Sequence, residues 1–567
     1  MLTSALFLAS ALVLPGAAHA APDAIFVNGK VFTAQDNLRM VTAFAVEGSR
    51  FTAAGNDADI RKLAGPATKI VDLGGRFVTP GLTDAHFHTE GGGPDVDLSK
   101  TETLADVFAA IKAAASRAKP GEIILTNSDW HEMQLKDQRL PRATELDIAA
   151  PNNPVVVVRG GHSLILNTLA LKKWNITTET ISPSGGQIGR DEKGELTGEL
   201  LDQAKSFVSL PPPPPVTMED VLTTQKVLNS YGITSVRVIG GYKTSSAAAW
   251  PLFQKVKESG ALSVRYNVFL RTNANPADAE AYVKALEVPG LKQGQGDEWV
   301  RIGGIKMGVD GGFEGGHMED AYLEPYGQGG TYFGLETITP AHFGAIVAKL
   351  HEHGWTVATH ACGDAAVEQV LNAYEAANRM SPVAGRKWAI EHAFVTNAGQ
   401  VQRAKNLDLT LSVQNHLYVA APAFKRYLGL SRAVAITPLK SYIESGIKVA
   451  LGTDAPVIPV NPFWNLYHYI TRDTASDGVY GTEQSVKDRG ALLRLMTAGY
   501  AELTGEQDTK GRIAAGQLAD FAILSADYLT IPDAGVKTLK ALGTWVGGRQ
   551  VYADPQLAAV SSTGERK

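Results

Sequence analysis

The stretch Phe77-Val-Thr-Pro-Gly-Leu-Thr-Asp-Ala-His-Phe-His88 decides the fold, because it joins an apolar run, a Pro-Gly turn and an Asp-x-His-x-His cluster. Side chains in a strand alternate between its two faces, so His86 and His88 point to the same side. Two neutral imidazoles at this spacing can hold one metal ion, and Asp84 falls on the same face. The alternative is a strand end with two ordinary histidines, and residues elsewhere in the chain decide between these interpretations.

The composition favours a protein that acts on a small molecule. A chain of 567 residues is long enough for two or three structural units. The balance of 53 Lys and Arg against 58 Asp and Glu, with no basic block, argues against binding to nucleic acid or to an anionic membrane surface. The single cysteine, Cys362, excludes an internal disulfide. Nothing in the pattern indicates an oligomeric state.

The first 20 residues resemble a secretory signal peptide. An apolar run from Leu2 to Leu14 is followed by the small-x-small sequence Ala18-His19-Ala20. The run is preceded by no Lys or Arg, so an N-terminal anchor that remains attached is the alternative. No later stretch is long and apolar enough to span a bilayer. We therefore expect an exported protein, periplasmic or secreted, whose mature form has no membrane span.

Both ends of the chain predict small β structures. Short β-rich runs between residues 24 and 78 alternate with turns at Asn28-Gly29, Glu47-Gly48 and Gly74-Gly75. The segments Gly511 to Leu524 and Thr544 to Tyr552 have the same character. We expect residues 21–79 and 505–567 to form one composite β-sandwich.

Residues 80–504 predict a barrel with an inserted cap at about residues 92–216. The cap includes a helix near Leu104 to Ala118 and a strand Val155 to Val158, and it ends in five prolines, Pro211 to Pro215. Consecutive prolines form a stiff extended spacer, although they also occur as ligands of partner domains.

The remainder of the barrel region alternates helix-period segments with short β runs, as parallel βα units do. Together with the strand that ends at His88 there are eight β runs, which predict an α/β fold of the (β/α)8 TIM-barrel type with its chemistry at the carboxyl ends of the strands. The other seven runs are Ile233–Val238, Ser263–Leu270, Val300–Val309, Thr356–His360, Lys387–His392, Leu409–Gln414 and Lys448–Asp454.

Metal-ligand residue types recur at these strand ends. They are His86 and His88 on the first strand, Lys306 on the fourth, His360 on the fifth, His392 on the sixth and Asp454 on the eighth. A barrel closes such ends into one ring, so the sequence predicts a single polar site.

These motifs are similar to those of the amidohydrolase superfamily, in particular its YtcJ-like branch (amidohydrolase family 3), which includes N-substituted formamide deformylases. The resemblance runs from about Ile25 to Tyr552. The matching stretches are Val78 to His88, Gly161-His-Ser163 with Asn167, Ile305 to Gly311, Thr359 to Asp364, Glu391-His392, Leu451 to Pro456 and Gly511 to Asp520.

The resemblance implies a site for one or two divalent ions, usually zinc. His86, His88 and Asp454 would hold one ion, and His360 with His392 a second. An unmodified lysine is cationic and cannot bridge two ions, so the family solution is a carbamate formed on Lys306 from CO2. If Lys306 is unmodified, the site holds one ion, with Lys306 as a charge partner.

The ligand set predicts hydrolysis. A bound ion lowers the pKa of water to about 7 and polarises a carbonyl, while Asp454 can accept the proton and pass it to the departing nitrogen. We expect cleavage of a non-peptide C–N bond in an N-acyl or N-formyl amide. Lactone, ester or carbamate hydrolysis and decarboxylation are alternatives, because they use the same activation. A non-catalytic exported binding protein is a further alternative that would require a missing ligand, and none of the six is missing.

Two further histidines are candidates for substrate contact. His162, in Gly-Gly-His-Ser of the cap, resembles a family position that faces the substrate, although a turn histidine bonded to backbone is an equal alternative. His317 ends the glycine-rich segment Asp310 to His317, which either closes over the site or only turns. Cys362, two residues past His360, is interpreted as a small packed side chain.

Overall fold

The computed structural model describes residues 21–37, 40–272, 274, 277–287 and 290–557. The predicted signal peptide, residues 1–20, lies outside the described residues, and the export of the protein stays a prediction. Within the described part of the chain, no helix has the length and hydropathy that a membrane span requires.

Strands and helices alternate through most of the described chain. The strands are β1 Ala24–Val27, β2 Lys30–Phe32, β3 Met40–Val41, β4 Ala43–Glu47, β5 Arg50–Gly55, β6 Lys69–Asp72, β7 Phe77–Pro80, β8 Leu82–Phe87, β9 Ile124–Leu125, β10 Val155–Arg159, β11 Ser163–Leu166, β12 Gly186–Arg190, β13 Leu196–Asp202, β14 Ile233–Ile239, β15 Arg265–Leu270, β16 Val300–Gly308, β17 Val357–Ala361, β18 Ala389–His392, β19 Thr410–Gln414, β20 Lys448–Gly452, β21 Phe521–Leu524, β22 Ala541–Val546 and β23 Arg549–Ala553. The α-helices are α1 Asp57–Arg61, α2 Leu104–Ala115, α3 Ala143–Ala149, α4 Thr168–Lys173, α5 Met218–Ser230, α6 Ser246–Glu258, α7 Ala279–Glu287, α8 Pro340–Glu352, α9 Asp364–Met380, α10 Ala398–Asn406, α11 His416–Leu428, α12 Leu430–Ala433, α13 Leu439–Ser445, α14 Pro462–Thr471, α15 Arg489–Leu495, α16 Ala498–Thr504 and α17 Asp533–Val536.

The central sheet has eight parallel strands in the order β20-β19-β18-β17-β16-β15-β14-β8. Sequential strands are neighbours, and helices connect most of them, as parallel pairing requires. The strands are buried on both faces, which explains their continuous apolar character: all seven residues of β14 are buried. The predicted TIM-barrel fold class is confirmed.

The barrel closes between its first and last strands. The backbone N–H of Asp454 donates to the carbonyl of His86 at 2.7 Å, and that of His88 donates to the carbonyl of Ala455 at 3.0 Å. At this seam, a Cβ on Gly452 would lie 2.5 Å from the backbone nitrogen of His86. A residue without a side chain therefore lets β20 approach β8 closely.

Helix α8 shows how the connecting helices are specified. Thr339 caps its first turn, Pro340 occupies the first helical position, and Gly354 follows with φ +78°. The apolar face of α8 is buried: Phe343, Ile346, Val347 and Leu350. Amphipathic helices of this kind form the outer layer of the barrel.

The two ends of the chain meet in two further sheets. A four-stranded sheet has the order β5-β4-β1-β6, and a six-stranded sheet has the order β23-β22-β21-β7-β2-β3. Their facing sides form one apolar cluster, in which Phe26 stacks on Phe44 and Phe521 stacks on Trp545, each pair at 4.8 Å. Strands from both ends of the chain lie side by side in the six-stranded sheet, so the two termini build these extra sheets together.

Between β8 and β14 the chain forms a separate five-stranded sheet, in the order β12-β13-β11-β10-β9. The predicted cap helix and strand correspond to α2 and β10. Thr103 caps α2 and forms a reciprocal capping box with Asp106. The limits predicted for this cap and for the other domains stay predictions.

Candidate metal centre

The carboxyl ends of the barrel strands bring together side chains that lie far apart in the sequence. Atoms of His86, His392 and Asp454 lie within 4.8 Å of one another. The ring centroids of His86 and His392 are 4.7 Å apart, and those of His360 and His392 are 4.5 Å apart. All four of these residues are buried. Lys306 is buried beside them, with its Nζ 3.4 Å from Nε2 of His86.

The two oxygens of Asp454 face different partners. Oδ1 lies 3.4 Å from Nε2 of His86 and 3.2 Å from Nε2 of His88, while Oδ2 lies 3.0 Å from Nε2 of His416. Burial alone would raise the pKa of Asp454, but His86, His416 and His88 bring it well below its ordinary value. Asp454 is therefore ionised at neutral pH, with one oxygen directed at the histidine pair.

A buried carboxylate fixes the tautomer of His86. Nδ1 of His86 lies 2.7 Å from Oε2 of Glu391, and an ionised carboxylate can only accept, so Nδ1 carries the hydrogen. Burial opposes ionisation of Glu391, yet Arg237, which donates to its other oxygen at 2.5 Å, and His86 hold the pKa of Glu391 far below its usual range. This leaves the lone pair of His86 on Nε2, on the side of Asp454.

His392 is oriented in a similar way by an amide. Its Nδ1 donates to Oε1 of Gln414 at 2.7 Å, and Nε2 of Gln414 in turn donates to the carbonyl of Ser412 at 3.0 Å. The second bond fixes which end of the amide faces the histidine. Partners of this kind hold the second nitrogen of metal-binding histidines and set the direction of the first.

The donor atoms fit a divalent metal ion. Burial lowers the pKa of His86 to about 3, with a further contribution from Lys306, so its imidazole is neutral. A lone pair on Nε2 of His86 then faces a lone pair on Oδ1 of Asp454 at 3.4 Å, an arrangement that a shared cation stabilises. Neutral imidazole nitrogens with a carboxylate are ligands that zinc and related ions prefer.

Lys306 is poised between its charged and neutral forms. Burial lowers the pKa of its amine to about 8, with smaller contributions from Arg271 and Arg237, while Glu391 and Asp454 oppose the shift. A neutral fraction near physiological pH is what reaction with CO2 requires. This favours the carbamate, which stays a prediction.

His360 turns its Nε2 towards a different set of groups. That nitrogen lies 3.1 Å from the carbonyl of Gly311, 3.3 Å from Oδ1 of Asp310 and 3.5 Å from Sγ of Cys362. Asp310, His360 and Cys362 form the second potential metal-binding group in the described residues. The carboxylate of Asp310 already accepts backbone N–H groups from Cys362, Gly363 and His317. Asp310 therefore anchors the loop and orients His360.

One large cavity, of about 1420 Å³, opens onto these residues. Its walls come from the barrel mouth and the cap, and Pro213, Pro214 and Pro215 line it. The five-proline segment thus has one side on the cavity. The volume exceeds the 300–1,000 Å³ or so of a typical small-molecule pocket, so the site accepts more than a reacting amide group.

The two predicted substrate contacts lie in different places. His162 lines the cavity, with its ring 5.1 Å from that of His360, and its Nδ1 lies 2.6 Å from Oδ1 of Asp202. His317 is not among the described residues that line the cavity, and its backbone N–H donates to Asp310. Substrate contact by either histidine stays a prediction.

The roles of four residues at this site, Glu391, Asp310, Gln414 and His416, are not apparent from the sequence alone. In the sequence, Glu391 forms a motif with His392, and Asp310 begins a glycine-rich segment. A buried-looking polar residue next to a predicted ligand is the signal that could identify such partners. Gln414 ends the seventh barrel strand, β19, and His416 begins the helix α11 that follows, and neither adjoins a predicted ligand in the sequence.

Known proteins are similar to this chain over most of its length. The amidohydrolase family, Amidohydro_3, matches residues 69–552. The chain is 29% identical to "Protein LONG AFTER FAR-RED 3" of Arabidopsis thaliana, over 94% of this chain and 91% of that protein. It is 28% identical to "Putative amidohydrolase YtcJ" of Bacillus subtilis, over 93% and 99%, and 25% identical to "N-substituted formamide deformylase" of Arthrobacter pascens, over 93% and 97%.

Solved structures share the fold. An uncharacterized metal-dependent hydrolase from Pyrococcus horikoshii has a TM-score of 0.66 and 23% identity, and covers 90% of this chain and 99% of its own. A second, from Pyrococcus furiosus, has a TM-score of 0.63 and 24% identity, over 89% and 100%.

The family match spans most of the sequence and includes every predicted ligand. The chain therefore belongs to the metal-dependent amidohydrolase family.

Proposed function

We propose that this protein is a zinc-dependent hydrolase that cleaves a non-peptide C–N bond, in an N-acyl or N-formyl amide. The observation that carries the proposal is the pairing of Oδ1 of Asp454 with Nε2 of His86 and His88 at 3.4 and 3.2 Å inside a substrate-sized cavity. The similarity to an N-substituted formamide deformylase supports the choice of bond.

His86, His88 and Asp454 would hold one ion, and His392, His360 and a carboxylated Lys306 a second. A divalent ion in this position supplies a Lewis acid for the amide carbonyl and lowers the pKa of water. The protein contributes the neutral state of the imidazoles, which burial maintains, and their directions, which Glu391 and Gln414 set.

Asp454 would move the proton. Its lowered pKa keeps the carboxylate ionised and able to accept a proton from the attacking water at neutral pH. The same low pKa makes protonated Asp454 a strong acid towards the departing nitrogen, which an amide needs because an amide anion is a poor leaving group. Nε2 of His416 holds Oδ2 while the other oxygen faces the histidine pair.

The test uses purified protein treated with a chelator, dialysed, and then supplied with Zn²⁺. We expect hydrolysis of aryl amides and formamides to disappear with the metal and to return with it. Asp454→Asn should lower kcat by about 100- to 10,000-fold, the usual contribution of a general acid–base group, whereas the exposed Asp508→Asn should leave it unchanged.

Parallel assays on lactones, esters and carbamates identify the bond. Hydrolysis of these compounds without any amide turnover would replace the C–N assignment while keeping the metal site. Amide hydrolysis that is indifferent both to chelation and to Asp454→Asn would refute the proposal.

A further inference from the structure

Arg271 lies at the mouth of the barrel, directly after β15, and lines the cavity. Other cations on the cavity wall have partners: Arg159 donates to Glu314 at 2.9 Å, Lys243 to Glu90 at 2.6 Å, and Lys205 to the carbonyl of Gly161. Arg271 has neither a hydrogen bond nor an ion pair with any of the described residues. The five N–H donors of its guanidinium group are therefore available to a ligand that enters the cavity.

The side chain of Arg271 runs beside that of Lys306. A Cβ placed on Gly240 would lie 3.2 Å from Cδ of Arg271 and 3.1 Å from Cγ of Lys306. Gly240, with φ +81°, thus leaves the space that both side chains use. Since Lys306 adjoins His86, Arg271 stands next to the candidate metal centre and in the same cavity.

Two lysines, Lys205 and Lys306, are electrostatic neighbours of Arg271, and the carboxylate of Asp202 acts on Lys205. Burial lowers the pKa of Lys205, and Arg271 adds to this effect, while Asp202 opposes it. Oδ1 of Asp202 also lies 2.6 Å from Nδ1 of His162. On the other side lies Lys306, whose carbamate, formed as proposed above, would be engaged by the metal ions. A negatively charged group entering beside Arg271 would relieve the repulsion between Arg271 and Lys205.

We propose that Arg271 binds a carboxylate of the substrate, so that the preferred substrate is an amide that bears a carboxylate on its amine half or its acyl half. This inference rests on the proposed function and names its substrate class. Arginine presents a planar pair of donors that matches a carboxylate in a bidentate pair, and a charge-assisted bond of this kind is stronger than a neutral one. The size of the cavity leaves room for the additional group.

Two pairs of compounds test the proposal with zinc-loaded protein. N-formylphenylalanine, as both enantiomers, is compared with N-formyl-2-phenylethylamine, which lacks only the carboxylate. N-benzylsuccinamic acid is compared with N-benzylbutanamide, in which a methyl group replaces the carboxylate. We expect the acid of at least one pair to have the higher kcat/KM, by about 10-fold or more, chiefly through a lower KM.

Arg271→Met should lower kcat/KM for that acid by about 10- to 100-fold, the range of a lost charge-assisted hydrogen bond, and should change the neutral compound by less than about threefold. Arg271→Lys, which keeps the charge but not the fork of donors, should restore part of the loss. Lys243→Met is the matched control, because that cation lines the same cavity but is already paired with Glu90.

The outcomes are separable. If kcat/KM for the neutral amides equals kcat/KM for the acids, and Arg271→Met leaves the ratio of the two values unchanged, the carboxylate assignment is wrong. The amidase proposal then still stands. If Arg271→Met lowers kcat for both members of a pair equally and reduces the bound zinc, Arg271 supports a modified Lys306 instead. If no compound is hydrolysed by zinc-loaded protein, the proposed function itself fails.

Discussion

At the scale of single residues, the two oxygens of Asp454 have different partners, so one oxygen can face a metal ion while the other is held by a neighbouring side chain. Oδ1 faces the imidazoles of His86 and His88, whereas Oδ2 accepts from Nε2 of His416. The carboxylate cannot rotate without breaking the second contact. Nδ1 of His416 is buried without a protein partner among the described residues, so the ring is held by its bond to Asp454 and by packing against Phe313 and Phe394.

Replacement of His416 should therefore weaken metal binding. His416→Phe removes the donor to Oδ2 and should lower the affinity for Zn²⁺ by about 10- to 100-fold, the usual effect of losing a partner of a metal ligand. His416→Gln places an amide nitrogen near the position of Nε2 and should retain most of the affinity. The measurement is a competition titration of zinc against a chromophoric chelator.

His353→Gln serves as the control, because His353 is exposed and pairs with Glu287, away from the candidate metal centre. Equal zinc affinities for His416→Phe and the unmodified protein would show that Asp454 needs no orienting partner.

At the scale of elements, the backbone at the ends of β18 and β20 decides where two candidate ligands, His392 and Asp454, point. Glu391 and His392 are consecutive, so strict alternation in β18 would place them on opposite faces of the sheet. In the structure both lie in the site, since Nδ1 of His86 contacts Glu391 while His392 joins the histidine cluster. His392 has φ +73°, so the alternation ends at this residue. Asp454, with φ +63°, departs from strand geometry in the same way.

This explains what could be predicted from the sequence and what could not. Eight apolar runs with helical spacers are a strong periodic signal, so the barrel could be predicted from the sequence, and the ligand set at its strand ends stays a prediction. The partners depend on backbone turns and on contacts between strands distant in sequence. Glu391 meets a histidine 305 residues away, and His416 starts a helix rather than ending a strand. No local pattern specifies such contacts.

The seam between β8 and β20 gives a test at this scale. Gly452→Ala would place its Cβ 2.5 Å from the backbone nitrogen of His86 and 2.9 Å from Oδ1 of Asp84. Because backbone must move to relieve this contact, we expect a loss of about 1–3 kcal/mol in the free energy of unfolding, as for other overpacked sites. Zinc affinity should fall as well, since both His86 and Asp454 adjoin the seam. Urea denaturation and zinc titration measure the two effects.

Gly344→Ala is the matched control. Gly344 lies within α8, and a Cβ there would meet nothing within 4 Å. Alanine should stabilise this helix by about 0.5–1 kcal/mol relative to glycine. If Gly452→Ala is as harmless as this control, the close approach of the two strands does not position the ligands.

At the scale of the whole molecule, one short stretch joins the two architectures. Strand β7, Phe77–Pro80, lies in the six-stranded terminal sheet, and β8 begins the barrel two residues later. Gly81 is the connection, and a Cβ there would lie 2.1 Å from Oγ1 of Thr234. The buried pair of Arg265 and Asp520, at 2.7 Å, ties barrel strand β15 to the C-terminal segment. The terminal sheets thus support the barrel at the strand that carries His86.

Buried neutral histidines should make the folded molecule sensitive to acid, and His468 in α14 allows this to be measured away from the metal centre. Burial, with a contribution from Arg472, lowers the pKa of His468 to about 3, while Nδ1 donates to the carbonyl of Asp473 at 2.9 Å. In the unfolded chain the imidazole binds a proton below its ordinary pKa of about 6.5, which the folded state excludes. The stabilisation is therefore complete above pH 6.5 and is lost as the pH falls towards 3.

His468→Asn retains a donor near the position of Nδ1 but does not titrate. Below pH 6.5 we expect the free energy of unfolding of the unmodified protein to fall relative to this variant by about 1.4 kcal/mol per pH unit. Urea denaturation at pH 7.5, 6 and 5 gives the two slopes, and comparing slopes removes any constant cost of the substitution. His353→Asn, at an exposed position, should leave the slope unchanged. Parallel pH profiles for the unmodified protein and His468→Asn would mean that His468 is protonated in the folded protein as readily as in the unfolded chain, which its burial beside Arg472 argues against.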